Sequence, residues 1–294
     1  RKFWLCCPTA AQRRQTTHLM TSHLLIGGTG AVGVVYGYFL TLSGARVGVY
    51  VRPKYAEELN KAPQIRLHDL NAVMHRKLAM LCVVGALSFA LSFWLLQLPF
   101  LACVVVGMGV AVGLLFAPRV KLFELGKAPV KVWSGFEVLS QTSQIKKSTW
   151  DYIWLCTSSS SFQEGSWLKD LLEIAGANES TCIVCLSPRI TDRDLILSMF
   201  PHPQRLVMGV IAFQSYQSPL KGERFHPTVS ESGVAYFFQL KNLFSGPTPH
   251  VTTLVSTLVR SGFPAARHDD CVLFTAYPAT VLNLLVASLE VRLS

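Results

Sequence analysis

The sequence predicts an α/β chain. A doubly wound, mainly parallel sheet carries an antiparallel extension, is interrupted by a hydrophobic helical hairpin and is followed by the start of a C-terminal helical domain. Three observations carry this. Residues 22–52 read as strand, glycine turn, helix and strand; strands and helices alternate from Asp151 to Ala212; and beyond Phe213 the pattern changes to antiparallel strand and amphipathic helix.

The first unit is the most informative. His23 to Ile26 is a short apolar run, and Gly28, Gly30 and Gly33 follow in the spacing G-x-G-x-x-G, with Thr29, Ala31 and Val32 between them. In such a turn Gly28 permits the tight bend, Gly30 lets the backbone approach a pyrophosphate, and Gly33 lets the next helix pack closely on the strand. The pyrophosphate then meets a helix N-terminus, where backbone amides and the helix dipole favour an anion. Val34, Val35, Tyr38, Phe39 and Leu42 supply an apolar helical stripe, Ser43-Gly44 ends it, and Val47, Val49 and Val51 alternate as the second strand. This is a Rossmann-like βαβ unit, opening a dinucleotide-binding domain over residues 20–270.

Where an NAD-specific site places an acid against the ribose 2′-hydroxyl, this chain has Arg52, with Lys54 two residues on. A guanidinium holds a 2′-phosphate through two parallel hydrogen bonds, so the pair predicts NADP. Two solvated charges at a strand end are the plainer alternative.

After Tyr55 to Lys61, the forty residues from Leu78 to Ala117 carry no charge. Gln97 and Pro99 divide them into two stretches, each near the length of a membrane span, and Arg76, Lys77, Arg119 and Lys121 flank the ends. Basic flanks on one side suit a transmembrane hairpin returning to the cytoplasm, with residues 62–117 as the hydrophobic insert. A non-native insert is the open alternative, in which case the chain is cytoplasmic and makes no membrane contact. A buried helical pair is disfavoured, because its helices would be apolar on every face.

Globular patterning resumes with VKLFELGKAPVKVW as a hairpin over 120–133 and SGFEVLSQTSQIKKSTW as a connecting helix. Asp151 to Thr157 is a buried strand ending in four serines; Ser166 to Ala175 is helical, and Thr181 to Leu186 is a strand. TDRDLILSMF opens a helix with Thr191 as N-cap and Asp194 at its third position. Arg205 to Ala212 is another strand. Gly233 to Leu240 reads as antiparallel strand, Thr248 to Ser261 as amphipathic helix, Phe263 to His268 as an edge strand, and Cys271 to Ser294 as the start of the helical domain.

Composition excludes some functions. The net charge is +10, but residues 1–121 hold 13 Lys and Arg against three acids while the remainder balances, 14 against 14. No basic helix interleaves with stacking aromatics, so nucleic acid is not an expected partner. The eight cysteines show no framework spacing and read as reduced, intracellular thiols. Cys182 and Cys185 form C-x-x-C inside a strand, where residues three apart face opposite ways, so no metal is expected there. Residues 1–19 are basic and lack acids; they read either as the remnant of a targeting segment or as sequence preceding a natural start at Met20.

With these elements in order, IGGTGAVG at 26–33, VRPKY at 51–55, WLCTSSSS at 154–161 and RLVMGVIAF at 205–213 resemble the ketopantoate reductase family. The resemblance covers most of residues 20–294 outside the insert. It implies an oxidoreductase that reduces a 2-oxo acid, 2-dehydropantoate, with NADPH on the route to pantothenate. It also implies NADP contacts at Gly28, Gly30, Ala31, Val32 and Arg52 and, at the fourth-strand end, at Thr157 and Ser158. Departures are plain. The lysine frequent at that strand end is absent, Ser187 stands nearest the place of an asparagine close to the nicotinamide, and Ser187 also reads as a turn residue before Pro188. No lysine occurs in CVLFTAYPATVLNLLVASLE, where the family's catalytic lysine belongs; Tyr277 is the only nearby proton donor, an aromatic at helical spacing that reads more readily as core, and Pro278 disturbs the first turns. A nucleotide-binding protein without turnover is therefore the second expectation.

No other catalytic cluster stands out. Asp192, Arg193 and Asp194 suit a helix start on dipole grounds, His268, Asp269 and Asp270 suit a solvated edge, and the serines 158–161 lack a G-x-S-x-G elbow.

Overall fold

The computed structural model describes residues 21–61, 63–72, 83–91, 128–187, 189–218 and 233–275. The βαβ unit forms as expected: β1 (Ser22–Ile26), α1 (Ala31–Leu42) and β2 (Arg46–Tyr50), followed by α2 (Pro53–Lys61) and β3 (Ile65–Asp69). Then come β4 (Val130–Trp133), β5 (Glu137–Leu139), α3 (Thr142–Lys146), β6 (Tyr152–Leu155), α4 (Trp167–Ala177), β7 (Cys182–Cys185) and α5 (Ile190–Met199). The remaining elements are β8 (Leu206–Val210), β9 (Phe213–Ser218), β10 (Gly233–Phe238), β11 (Asn242–Ser245), α6 (Thr248–Arg260) and β12 (Ala265–Arg267).

The large sheet runs β12-β11-β8-β7-β6-β1-β2-β5. Its six strands from β8 to β5 are parallel. Counted along the chain, they give the doubly wound order 3-2-1-4-5-6, which opens a crevice where β1 separates β2 from β6. β11 adds antiparallel to β8. A second sheet, β4-β3-β10-β9, stands apart from the first. Its β10 pairs parallel with β3 and antiparallel with β9.

Successive residues of each central strand feed cores on opposite faces. Leu25, Val47, Val49, Trp154 and Val184 pack with α1 and α6, while Leu24, Ile153, Leu155 and Ile183 pack with α4 and α5. Each such side chain contributes about 1.5–3 kcal/mol by leaving water. Some buried polar groups tie the core together. The His23 ring accepts from Trp154 Nε1 at 3.1 Å and meets Thr21 Oγ1 at 2.9 Å. Asn242 Oδ1 accepts from Tyr36 and from the Ala212 amide, tying α1 to the start of β9.

The structure departs from the sequence pattern in several places. Val130–Trp133 pairs antiparallel with Ile65–Asp69, and the rest of the hairpin expected over 120–133 lies outside the described residues apart from 128 and 129. Strand β3 lies inside the stretch 62–117 read as hydrophobic insert. The segment read only as connecting helix contains β5, whose three residues are too few to show alternation. Strands β9 and β11 fall in stretches given no element. Helix α5 begins at Ile190 with Arg189 as N-cap, which puts Asp192 and not Asp194 in its first turn.

The proposed hairpin 78–117 lies outside the described residues except for 83–91, which are helical. Among the described residues no helix is long and apolar enough to cross a membrane. The chain departs after β3 and returns at β4, where the Asp69 amide donates to the Pro129 carbonyl at 3.0 Å, so both ends of the intervening segment meet. Residues 1–20 and 276–294, with Tyr277, also lie outside the described residues.

Candidate functional site

The turn between β1 and α1 is built by glycines in distinct ways. Gly27, not Gly28, takes the left-handed conformation, with φ +69°. Its amide donates to the Tyr50 carbonyl at the end of β2, and its carbonyl accepts from Gly30 at 2.9 Å. A Cβ on Gly28 would press within 3 Å of Leu25 and Val49, so the constraint there is closeness to the sheet. A Cβ on Gly33 would lie 2.6 Å from the Cα of Gly28, which is the close helix packing the spacing predicts. At Gly30 an added Cβ would meet only the Gly27 carbonyl, at 3.2 Å, leaving the rest of that side open. Gly30 is the N-cap of α1 and brings no side chain to the first-turn amides, and the first turn contains no acid. Those amides are therefore left for an anion outside the protein.

This turn forms the floor of a cleft of about 1080 Å³, slightly above the usual small-molecule range of about 300–1,000 Å³. Thr29 and Gly30 line it from the turn, Arg52 from just after β2, Tyr55 from α2, and Thr157 from the end of β6. Arg52 is exposed to the cleft, and its carbonyl accepts from the amides of Tyr55 and Ala56 to start α2. Thr157 Oγ1 is buried without a hydrogen-bonding partner, a donor and acceptor held ready at the cleft wall. Ala31 and Val32 form the first turn of α1, half-buried beneath the cleft. The main chain of Lys54 is in the first turn of α2, two residues from Arg52.

Ser158 does not line the cleft. It opens a 3-10 turn over Ser159–Gln163, and its hydroxyl meets Ser160 and Ser161 at 2.9 and 3.1 Å. Ser161 lines the cleft instead, with Glu164 and Trp167; the Trp167 indole donates to the Ser161 carbonyl at 2.9 Å. The opposite wall comes from the second sheet, through Ile65, Gln217 and Val234. Sequence reading missed this wall because it is assembled from strands more than 150 residues apart in sequence. Trp167, just after the left-handed Gly165 at the start of a helix, was the one local signal available.

Ser187 is more than a turn residue. It is buried at the end of β7, and its hydroxyl donates to the Asp192 carboxylate, as does that of Ser159. Asp192 stands in the first turn of α5, as a helix-start acid does, but it is buried as well. Cys182 and Cys185 enter opposite cores, and burial pushes both thiols up to about 12. Protonated thiols facing apart bind no common ion.

No family model matches the chain, and no curated protein sequence does. Solved structures match at low identity. One is a ternary structure of D-mandelate dehydrogenase with NADH and anilino(oxo)acetate, 15% identical, covering 85% of this chain and 57% of its own, with a TM-score of 0.50. Another is 2-dehydropantoate 2-reductase from Methylococcus capsulatus, 16% identical, covering 85% and 58%, also at 0.50. The fold is that of a Rossmann-like dehydrogenase. A ketopantoate reductase from Ralstonia eutropha JMP134 also matches, at 15% identity, 84% and 56% coverage and a TM-score of 0.49. The chain spans less than three-fifths of the length of these proteins.

Proposed function

We propose that the chain is the dinucleotide-binding part of an NADP-dependent oxidoreductase that passes hydride from NADPH to a 2-oxo acid such as 2-dehydropantoate. One observation carries the reading: an uncapped helix N-terminus and the Arg52 guanidinium open on the same cleft at the switch point of a doubly wound sheet. The first-turn amides of α1 bind the pyrophosphate. Arg52 binds the 2′-phosphate, with Lys54 adding positive charge nearby. Thr157 Oγ1 supplies a hydrogen bond to the ribose on the far side of the turn, where its orphaned hydroxyl finds a partner. The second sheet closes one wall and limits water. When bound, the nicotinamide supplies the hydride.

A second reading is NADP binding without turnover. It is favoured by the cleft's chemistry, since among the described residues that line it there is no lysine and no histidine to protonate an alkoxide. A panel of 2-oxo acids, 2-dehydropantoate included, incubated with the chain and NADPH separates the two. Loss of absorbance at the reduced-nicotinamide band that depends on one of the acids establishes the oxidoreductase. Tight NADPH binding with no oxidation by any acid establishes the second reading.

A further inference from the structure

The second sheet meets the cleft at one end, through Gln64, Ile65, Gln217 and Val234. At the other end, about 13 Å further along β3 at the rise of an extended strand, the Leu70 amide donates to the Tyr236 carbonyl at 2.9 Å and the Asp69 amide to that of Pro129 at 3.0 Å. Lys131 and Asp69 pair at 2.7 Å and clamp β4 to β3 there. The chain leaves and returns at this end, away from the cleft. The intervening residues 73–127 hold the cations Arg76, Lys77, Arg119, Lys121 and Lys127, one acid, Glu124, and no charge from Leu78 to Ala117.

Within that uncharged stretch, residues 83–91 form a helix. Val83, Ala86, Leu87, Ala90 and Leu91 are exposed, at the three- and four-residue spacing of one helix face. Val83, Leu87 and Leu91 are 58%, 65% and 60% exposed, too far for a core helix. Apart from Ser88 the other face, with Val84, Gly85 and Phe89, is apolar too. A helix apolar on every side belongs in a large core or in a membrane. An interface with another protein would surround its apolar centre with a polar rim. Here the charges that border the stretch in sequence, Arg76, Lys77, Arg119 and Lys121, are all basic, which suits anionic lipid headgroups.

From this we infer that the helix 83–91 is a lipid-binding surface, seating its Val83, Leu87 and Leu91 face in the hydrocarbon of a bilayer that contains anionic lipid, and so holding the protein by the end of the second sheet away from the cleft. Nine residues rise about 14 Å, under half of a hydrocarbon core of about 30 Å, so this helix enters the bilayer without crossing it. The inference is independent of what the cleft binds.

The test is flotation. The full chain is synthesised without detergent in the presence of vesicles made of phosphatidylcholine and phosphatidylglycerol in equal parts, then spun through a sucrose gradient. The wild type is expected to rise with the vesicles and to stay with them when salt is raised, because salt screens exposed charges and not apolar burial. Leu87→Asp combined with Leu91→Asp, two changes at exposed positions, is expected to lower the partition coefficient about tenfold or more, while Val259→Asp, also at an exposed position but on α6, leaves it unchanged. If the aspartate pair is insoluble, Leu87→Ala with Leu91→Ala decides alone, with a fall of about threefold or more expected. A wild type that stays at the bottom, or that salt releases, overturns the inference, as does full partition of the soluble pair variant. So does a vesicle-free size measurement in which the wild type self-associates and the pair variant does not while neither floats, since a second copy then covers this face.

Discussion

Gly33 and Gly28 touch backbone to backbone. A Cβ at position 33 would sit 2.6 Å from the Gly28 Cα and 2.9 Å from its carbonyl carbon, a separation that no side-chain adjustment relieves. Helix α1 starts where it does, pointing its free amides into the cleft, because position 33 carries no side chain. Gly33→Ala is thus expected to push the helix off the turn. Urea unfolding should show a loss of about 2–3 kcal/mol, in the range of overpacking, and dinucleotide affinity should fall by more than tenfold. Wild-type affinity in the variant would show that the helix position does not set the site.

A second contact of the same kind joins α1 to the smaller sheet. Trp133 from β4 lies over Gly37, where a Cβ would come within 2.5 Å of two indole atoms, and its Nε1 donates to Thr41 Oγ1 at 2.9 Å. Gly37→Ala gains about 1 kcal/mol of helix propensity and loses more by displacing a buried indole. Net destabilisation by about 1–2 kcal/mol is expected in denaturant unfolding, with tryptophan fluorescence shifted to the red. An unchanged spectrum would mean that the ring is not seated there.

Arg205 is buried at the base of the large sheet. Its Nη1 donates to the carbonyls of Ala175 at 3.3 Å and Asn178 at 2.6 Å, closing the C-terminus of α4, and its guanidinium lies over the Phe200 ring. A cation there also complements the negative end of the helix dipole. Arg205→Ala should cost about 2–4 kcal/mol in urea unfolding, because buried carbonyls lose their partner and a cavity opens. Arg205→Lys should recover only part of that, lacking the planar stack.

His23 makes stability depend on pH. Burial pushes it down to about 3, with the nearby Asp151 opposing weakly. Its folded value lies below its unfolded value of about 6.5, so in between the unfolded chain binds the extra proton. Its contribution to stability is complete above about pH 6.5 and is lost as the pH falls from there toward 3, at about 1.4 kcal/mol per unit. His23→Gln should be less stable at pH 7.5, having lost the stack on Tyr152, yet should show a visibly flatter decline between pH 6.5 and 4.5. Parallel declines in the two proteins would assign the acid sensitivity to other groups, such as His68 and His250, whose values burial also lowers.

What could be read in the sequence follows from how local the signal is. The turn from Ile26 to Gly33, the end of β2 at Arg52 and the buried strand at Tyr152 to Leu155 each announce themselves within ten residues. The Arg52 side of the cleft was therefore legible. Its other wall was not, because Val234 and Gln217 reach it only through the pairing of β10 with β3 and β9. The same long-range pairing hid β3 next to an uncharged stretch that dominates any hydropathy reading. Asp192 shows the other limit. Acids at helix starts are common enough that only its burial against Ser159 and Ser187 separates it from an ordinary one.

On the function proposed above, the cleft takes a nicotinamide dinucleotide and Arg52 selects the phosphorylated form. This is tested most directly by titrating the purified chain with NADPH and with NADH, following reduced-nicotinamide fluorescence, alongside Arg52→Ala. The expected result is tighter binding of NADPH than of NADH by about tenfold or more, abolished in Arg52→Ala while NADH affinity stays within about twofold. Absence of binding by either nucleotide would contradict the account, and equal binding of both, unaffected by Arg52→Ala, would contradict the role given to Arg52.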